Sequence, residues 1–225
     1  TVTYLFDGSI IHRDSEGNIQ EIQPGAMNLM TAGRGIAHSE RTPDVQRRDG
    51  QKMLGLQSWS ALPAGSEEIA PSFQHYAAES LPTVKDTGFT ARIIAGSAFG
   101  VKSPVSMVSP WFYTEVTAQA GTSVPLDPDH EERAIYLVDG EVEIAGERHE
   151  GPCLLIFRPG DRITVKAVRP TRMMFLGGDA LEGPRHIWWN FVSSSKERIE
   201  QAKADWKAGR FAKVPDETEF IPLPE

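Results

Sequence analysis

The sequence has very little cysteine and no long apolar run, and both absences restrict what the protein can be. Cys153 is the only cysteine among 225 residues, which excludes an internal disulfide and suits a reducing compartment. The thiol precedes the apolar run 154–157, so we expect it to be buried and structural. No apolar stretch approaches the roughly 20 residues of a membrane-spanning helix, and no signal peptide is recognisable. We therefore expect a soluble cytoplasmic protein with no membrane contact.

Basic residues are in the minority. There are 23 lysines and arginines against 31 aspartates and glutamates, with a formal net charge of -8 and a pI near 5.3. The one basic cluster, Arg47-Arg48, is too short for a nucleic-acid surface. This balance excludes direct nucleic-acid binding through a broad basic face.

Short β-prone runs separated by turn residues are abundant, a pattern typical of a β-sandwich or β-barrel. Asp7-Gly8 and Asp139-Gly140 predict tight hairpins, because glycine adopts positive φ without a Cβ clash. The chain opens without Met and already in a strand-like pattern. We expect native residues to precede Thr1.

Two segments of the first half recur in the second. VTYLFDGSI at 2–10 resembles AIYLVDGEV at 134–142, and QPGAMNLM at 23–30 resembles RPGDRITV at 158–165. The nearly equal spacing of the two matches indicates a duplicated β unit.

The repeat predicts two β-barrel domains, residues 1–98 and 99–225. The second domain ends in a predicted helix over 194–208, with Ser194 as N-cap and Glu197 as its capping-box partner. An extended tail along the surface follows the helix.

The stretch TAGRGIAHSER at 31–41 contains the most informative pair of side chains. In a strand, side chains alternate between faces, so His38 and Glu40 project to the same side. Imidazole and carboxylate together suit Fe(II), Mn(II) or Zn(II). Gly33 and Gly35 let the backbone turn sharply into this strand. On the local pattern alone, a surface location explains the pair better than a metal site does.

Four segments of the first half follow one another as VTYLFDG, IIHRDSEGN, IQPGAMNLMTAGRGIAHSE and GLQSW, and the chain ends in WWNFVSSSKERIEQAKADWKAGRFAKVP. Together they resemble the pirin family, a branch of the cupin superfamily. The resemblance implies an all-β fold of two cupin barrels with a short C-terminal helix, one mononuclear Fe(II) in the N-terminal barrel, and a monomer. Other divalent transition metals would suit the same ligands.

The resemblance also implies a ligand set of three histidines and one glutamate. Two of these ligands map onto His38 and Glu40. The other two belong to a His-Pro-His segment that would lie upstream of Thr1. With only two ligands present, we expect the given chain to bind metal weakly or not at all.

Other histidines have structural interpretations. The histidines predicted to lie at turn, strand or surface positions are His12, His75, His149 and His186. Of these, His12 is predicted to be a cross-strand or turn partner. His130 belongs to the second repeat's counterpart of the missing segment, but the partner strand there carries no histidine, so the second barrel is expected to be metal-free.

The family implies quercetin 2,3-dioxygenase activity, which opens a flavonol ring with O2 and releases carbon monoxide. Glu40 would be the proton acceptor as well as a ligand. Met27, Leu29, Met30 and Phe6 would either form an apolar pocket for the aromatic substrate or simply pack the core.

Two alternatives remain open. The protein could be an iron-dependent, redox-sensing binding partner of a transcription factor or metabolic enzyme, without turnover. It could also be a cupin that binds a small ligand without converting it.

Overall fold

Strands dominate the computed structural model, which describes residues 1–50 and 52–225. The chain divides into two compact units, one formed by Thr1–Ala78 with Leu181–Glu225 and the other by Glu79–Ala180. The strands of residues 1–78 are β1 Val2–Asp7, β2 Ile10–Asp14, β3 Ile19–Ile22, β4 Met27–Thr31, β5 His38–Arg41, β6 Leu54–Ser58 and β7 Ser72–Tyr76. A short helix, α1, spans Asp44–Asp49, and 3-10 turns lie at Ala64–Ser66 and Ala78–Ser80.

The second unit contains twelve strands. They are β8 Thr83–Asp86, β9 Phe89–Ala95, β10 Ser97–Ala98, β11 Val101–Lys102, β12 Trp111–Ala118, β13 Ser123–Leu126, β14 Glu132–Asp139, β15 Glu141–Ile144, β16 Glu147–Glu150, β17 Cys153–Phe157, β18 Ile163–Ala167 and β19 Thr171–Gly178. The chain then returns to the first unit with β20 His186–Trp188, β21 Phe191–Ser193 and the helix α2 Lys196–Lys207. The expected all-β fold with a short C-terminal helix is confirmed.

Each unit is built on two main antiparallel sheets. In the first unit the strand orders are β6-β1-β4-β7 and β3-β2-β5, and in the second they are β17-β14-β19-β12-β9-β8 and β13-β18-β15-β16. Strand β14 shows why such runs form a half-buried sheet, since its buried residues alternate with more exposed ones along Glu132–Asp139. Its inward side chains, including Ile135 and Leu137, join the apolar core of the second unit.

The two units repeat one pattern of strand pairing. In the first, β1 pairs with β4 and β6, and β2 pairs with β3 and β5. In the second, β14 pairs with β17 and β19, and β15 pairs with β16 and β18. Strand β4 therefore corresponds to β17, and β5 corresponds to β18.

This correspondence corrects one of the sequence matches. The match of 23–30 with 158–165 aligned β4 with β18, which is one strand too late. The two Pro-Gly turns mislead because one precedes β4, whereas the other lies between β17 and β18. A recurring turn dipeptide marks a change of direction without saying which two strands it joins.

The two Asp-Gly turns do not form the hairpins that were predicted for them. Asp7-Gly8 leads from β1 into β2, and Asp139-Gly140 leads from β14 into β15, but in both cases the two strands belong to different sheets. The turn chemistry is as expected, since Gly8 and Gly140 both have positive φ. Pairing with sequence-distant strands separates the two arms of each turn.

The N-cap of the C-terminal helix lies one residue later than predicted. Ser195 is the N-cap, because its Oγ accepts a hydrogen bond from the Arg198 backbone N–H at 3.1 Å and donates to Glu197 at 2.9 Å. Ser194 instead binds the Glu67 carboxylate through its backbone N–H and its hydroxyl. Ile199 and Ala202 of this helix are buried.

The units also differ in extent from the predicted domains. The predicted boundary after residue 98 lies within the second unit, because β9 pairs with β12. Residues 181–225 return to the first unit. Within residues 1–50 and 52–225, no helix is long and apolar enough to cross a membrane.

Candidate metal centre

The candidate site lies where β2 and β5 pair. In this antiparallel pair His12 stands opposite Glu40, and Asp14 stands opposite His38. Directly opposed residues share a face, and residues two apart on one strand share it too. All four side chains therefore project from the same side of the sheet.

Three of these side chains form a donor cluster. One donor atom from each of His12, His38 and Glu40 lies within 4.8 Å of the other two. Among residues 1–50 and 52–225, this is the one group of three or more His, Cys, Asp or Glu side chains with such spacing. The structure thus brings His38 and Glu40 together, and it adds His12, which sequence analysis had given a purely structural role.

A glycine loop directs the chain into β5. Gly33 has a φ of +52°, and a Cβ there would collide with the Ile69 carbonyl oxygen. The next residue, Arg34, donates its backbone N–H to that same oxygen at 3.0 Å. The loop can therefore lie against residues 66–70 only with glycine at position 33.

Asp14 fixes the ring of His12. The Asp14 carboxylate is fully buried and lies 3.1 Å from His12 Nε2. Burial favours the neutral acid, but hydrogen bonds from Asn18 and His12 outweigh it, and the pKa of Asp14 lies below its ordinary value. Because an ionised carboxylate only accepts hydrogen bonds, His12 Nε2 is the donor of this pair, and Nδ1 is the ring nitrogen that remains for another partner.

Burial also affects His38. The pKa of His38 is lowered mainly by burial of its ring; the Glu40 carboxylate opposes this shift, and His12 adds to it. The His38 ring is therefore neutral near pH 7, which is the form that binds a metal ion. His12 stacks on both His38 and Phe73, with ring centroids 5.6 Å and 4.4 Å apart respectively.

A row of polar side chains crosses the opposing sheet β6-β1-β4-β7. Gln57 stands opposite Thr3, Thr3 opposite Asn28, and Asn28 opposite His75. We call these four residues the polar row. At one end it contacts Glu40, whose oxygens accept hydrogen bonds from Gln57 at 2.8 Å and Thr3 at 3.4 Å.

The polar row and the donor cluster enclose a small pocket. Beside the three donors, its lining includes Thr3, Asn28, Met30 and Phe73, and it leaves about 180 Å³ of space with its open mouth included. The three donors therefore lie in the wall of a narrow pocket, beside polar and apolar side chains.

The apolar residues expected to line such a pocket divide between two faces. Met30 lies in the lining, two residues along β4 from Asn28. Met27 and Leu29 alternate with them and are buried on the other face of β4, in the core.

The remaining histidines lie outside the donor cluster. His75 belongs to β7 and meets Asn28, whereas His130 stacks on Phe112 and lies 3.2 Å from Asp179. His149 lies in the β15–β16 hairpin and His186 begins β20.

Comparisons with known proteins identify the family. The family model described as Pirin matches residues 1–60, and the model described as Pirin C-terminal cupin domain matches residues 113–212. A pirin-like protein of Caulobacter vibrioides is 50% identical over 228 residues, covering 100% of this chain and 78% of its own length. The chain belongs to the pirin family. The resemblance noted in the sequence is thereby confirmed, together with the cupin fold.

Other members of the pirin family are more distant. Mouse pirin is 31% identical over 216 residues, which cover 92% of this chain and 72% of the mouse protein. A crystal structure of quercetin 2,3-dioxygenase from Acinetobacter baumannii superimposes with a TM-score of 0.89 at 29% identity, covering 100% of this chain and 75% of that one. The chain is therefore similar both to proteins named for the pirin family and to a protein named for quercetin 2,3-dioxygenase activity.

Proposed function

We propose that this pirin-family protein holds one divalent transition-metal ion per chain, Fe(II) in the cell, and opens flavonols such as quercetin with O2. The observation that carries the proposal is the cluster of His12, His38 and Glu40 within 4.8 Å. Two imidazoles and one carboxylate form the donor set of many non-haem iron oxygenases. The likeness to the Acinetobacter baumannii quercetin 2,3-dioxygenase supports the choice of reaction.

The residues fit such an ion. The lowered pKa of His38 keeps its imidazole neutral near pH 7. His12 offers Nδ1 because Asp14 holds Nε2, and Glu40 provides the negative charge. Three donors within the chain, in place of the two inferred from sequence, raise the affinity that we expect of the given chain.

A bound ion would supply Lewis acidity toward a substrate hydroxyl and redox chemistry toward O2. The side chains of the protein contribute proton transfer and positioning. Glu40 accepts the proton of the flavonol 3-hydroxyl, and hydrogen bonds from Gln57 and Thr3 hold its carboxylate in place. Overall, both atoms of O2 add to the flavonol and one carbon monoxide leaves.

The narrow pocket limits how a flavonol binds. Its hydroxy-ketone edge faces the donor cluster, and the remaining rings lie at the mouth. The direct test is to load the protein with Fe(II) without oxygen, add quercetin and then O2, and follow flavonol absorbance and carbon monoxide. A metal-replete protein without turnover would exclude the dioxygenase and favour the redox-sensing binding partner.

The ligand assignment is tested by substitution at the donors. His38→Ala should abolish stoichiometric metal binding, and Glu40→Gln should weaken it and remove the base. His149→Ala, in the β15–β16 hairpin of the second unit, is the matched control and should keep its metal. Elemental analysis after gel filtration gives the readout. Full iron content in the His38 variant would disprove the assignment.

We also propose that the protein is monomeric and cytoplasmic. The single thiol supports a reducing compartment. Light scattering of the purified protein measures the oligomeric state, and a stable dimer would contradict the first part of this proposal.

A further inference from the structure

The polar row contains one buried polar atom without a partner. Asn28 is only 3% exposed, and its Nδ2 has no hydrogen-bond partner among the described residues. Leaving such an amide nitrogen unpaired destabilises the folded protein. The same residue lines the pocket beside His38 and Glu40. An unpaired donor at this location is explained if an oxygen atom of a ligand accepts a hydrogen bond from it.

His75 determines which way the amide of Asn28 points. Its Nδ1 lies 2.7 Å from Asn28 Oδ1. An imidazole N–H that donates to Oδ1 turns the amide nitrogen away from β7. His75 therefore leaves Asn28 Nδ2 available to the pocket.

The walls of the pocket thus offer two complementary polar groups. Glu40 accepts hydrogen bonds, whereas Asn28 Nδ2 only donates them. A ligand that matches both has a hydroxyl beside a carbonyl oxygen. The hydroxyl meets Glu40 and the carbonyl oxygen meets Asn28.

We propose that Asn28 is a specificity-determining residue that donates a hydrogen bond from Nδ2 to the carbonyl oxygen of a planar hydroxy-ketone, and that His75 is its positioning residue. This inference rests on the proposed function, because the hydroxyl partner is the group that Glu40 deprotonates. It narrows the substrates to those with a carbonyl next to the reacting hydroxyl.

The test measures binding of 3-hydroxyflavone to the Fe(II)-loaded protein without oxygen, by the absorbance change of the flavonol. Asn28→Leu replaces the amide by an apolar group of similar size and should weaken binding about 10-fold, with metal content unchanged. Asn28→Asp removes both donors and adds a negative charge, so it should weaken binding at least as much. Asn190→Ala, at an exposed turn between β20 and β21, is the control and should bind normally.

The role of His75 requires a double-mutant cycle. His75→Phe should weaken 3-hydroxyflavone binding about as much as Asn28→Leu, but should have no further effect in the Asn28→Leu background. His75→Gln retains a donor for Asn28 Oδ1 and should restore much of the affinity. A purely structural role predicts additive losses and a lower unfolding temperature instead.

The outcomes separate this inference from the proposed function. If the unaltered protein binds neither iron nor 3-hydroxyflavone, the proposed function fails. If the unaltered protein binds both, and Asn28→Leu or Asn28→Asp binds the flavonol equally well, the proposed function stands and the role of Asn28 is disproved.

Discussion

At the scale of single residues, Asp14 orients the imidazole ring of His12, a residue that sequence analysis did not include among the metal ligands. It holds His12 Nε2 at 3.1 Å and is itself held by Asn18 and by the backbone N–H of Glu16. A buried carboxylate behind a histidine orients the ring and increases its basicity toward a metal ion.

Replacing Asp14 tests this arrangement. Asp14→Asn keeps the shape but removes the charge that fixes the His12 tautomer, so we expect metal affinity to fall roughly 10–100-fold. Asp86→Asn is a suitable control, since Asp86 accepts a backbone N–H from Thr87 at an exposed turn of the second unit. Isothermal titration with Fe(II) or Zn(II) measures both variants. Unchanged affinity in the Asp14 variant would exclude His12 from the ligand set.

Gly33 is a second residue whose identity is fixed by its surroundings. Gly33→Ala would combine a positive φ with a collision against the Ile69 carbonyl, and should lower the free energy of unfolding by about 2–5 kcal/mol. Gly17→Ala has positive φ in open space and should lose only about 1–2 kcal/mol. Urea denaturation compares the two. Equal losses would show that packing on Ile69 is unimportant.

The sequence predicts part of the site at this scale. The two-residue spacing of His38 and Glu40 requires only the alternation of a strand, so it can be read locally. The contribution of His12 requires the pairing of β2 with β5, and that of Asn28 requires the pairing of β4 with β7. Such registers depend on which distant strands meet, and a short sequence window does not contain that information.

At the scale of elements, strand β5 has different roles on its two faces. His38 and Glu40 face the pocket, whereas Ser39 and Arg41 alternate to the other face. There they bind the C-terminal tail, as Glu217 accepts from Ser39 at 2.6 Å and from Arg41 at 2.9 Å. The tail thus braces the strand that carries two of the proposed ligands.

This brace should depend on pH. Hydrogen bonds from Arg41, and then from Ser39, lower the pKa of Glu217. A lowered pKa means that docking of the tail is fully stabilised above the ordinary glutamate pKa, about 4.3, and weakens as pH falls through the lower folded value. The Trp206 indole reports the change, because it donates to the Ile221 carbonyl at 2.9 Å and stacks on Phe220.

Tryptophan fluorescence between pH 6 and 2.5 is the measurement. Glu217→Gln should remove this part of the transition and release the tail even at neutral pH, whereas Glu225→Gln, at an exposed position, should behave as the unaltered protein does. An unchanged acid transition in the Glu217 variant would show that the ion pair with Arg41 does not hold the tail.

Elements were predictable where local signals are strong. The Ser-x-x-Glu pattern located the C-terminal helix to within a residue or two, with an error at the cap because three serines precede the helix. Strand β7, Ser72–Tyr76, has no comparable local signal, and all but one of its residues are half-buried, without the alternation of a strand with one buried face. Sequence analysis therefore did not predict that β7 places Phe73 and His75 at the site.

At the scale of the whole molecule, the two units share a strand pattern but not a donor cluster. Within the described residues, His12, His38 and Glu40 lie on the β2–β5 pair, and the corresponding β15–β18 pair opposes Glu143 with Lys166. The duplicated architecture was readable from the repeated segments, but the extent of each unit was not, because pairing across the chain determines it.

Metal should therefore stabilise one unit selectively. An ion that binds only the folded state adds about 2.7 kcal/mol at a concentration 100 times its Kd. We expect Fe(II) to increase hydrogen-exchange protection in β2 and β5, and a chelator to reverse it, with β14 and β19 unchanged. His38→Ala should show no response. Equal protection in both units would contradict a site confined to the first.

The division of the chain also has a consequence for biosynthesis. Residues 181–225 complete the first unit, but all of Glu79–Ala180 leaves the ribosome before them. At typical rates of translation this delay lasts on the order of ten seconds. During that time β5 lacks Glu217 behind it, so we expect the proposed metal site to gain its full support only after the tail has been synthesised.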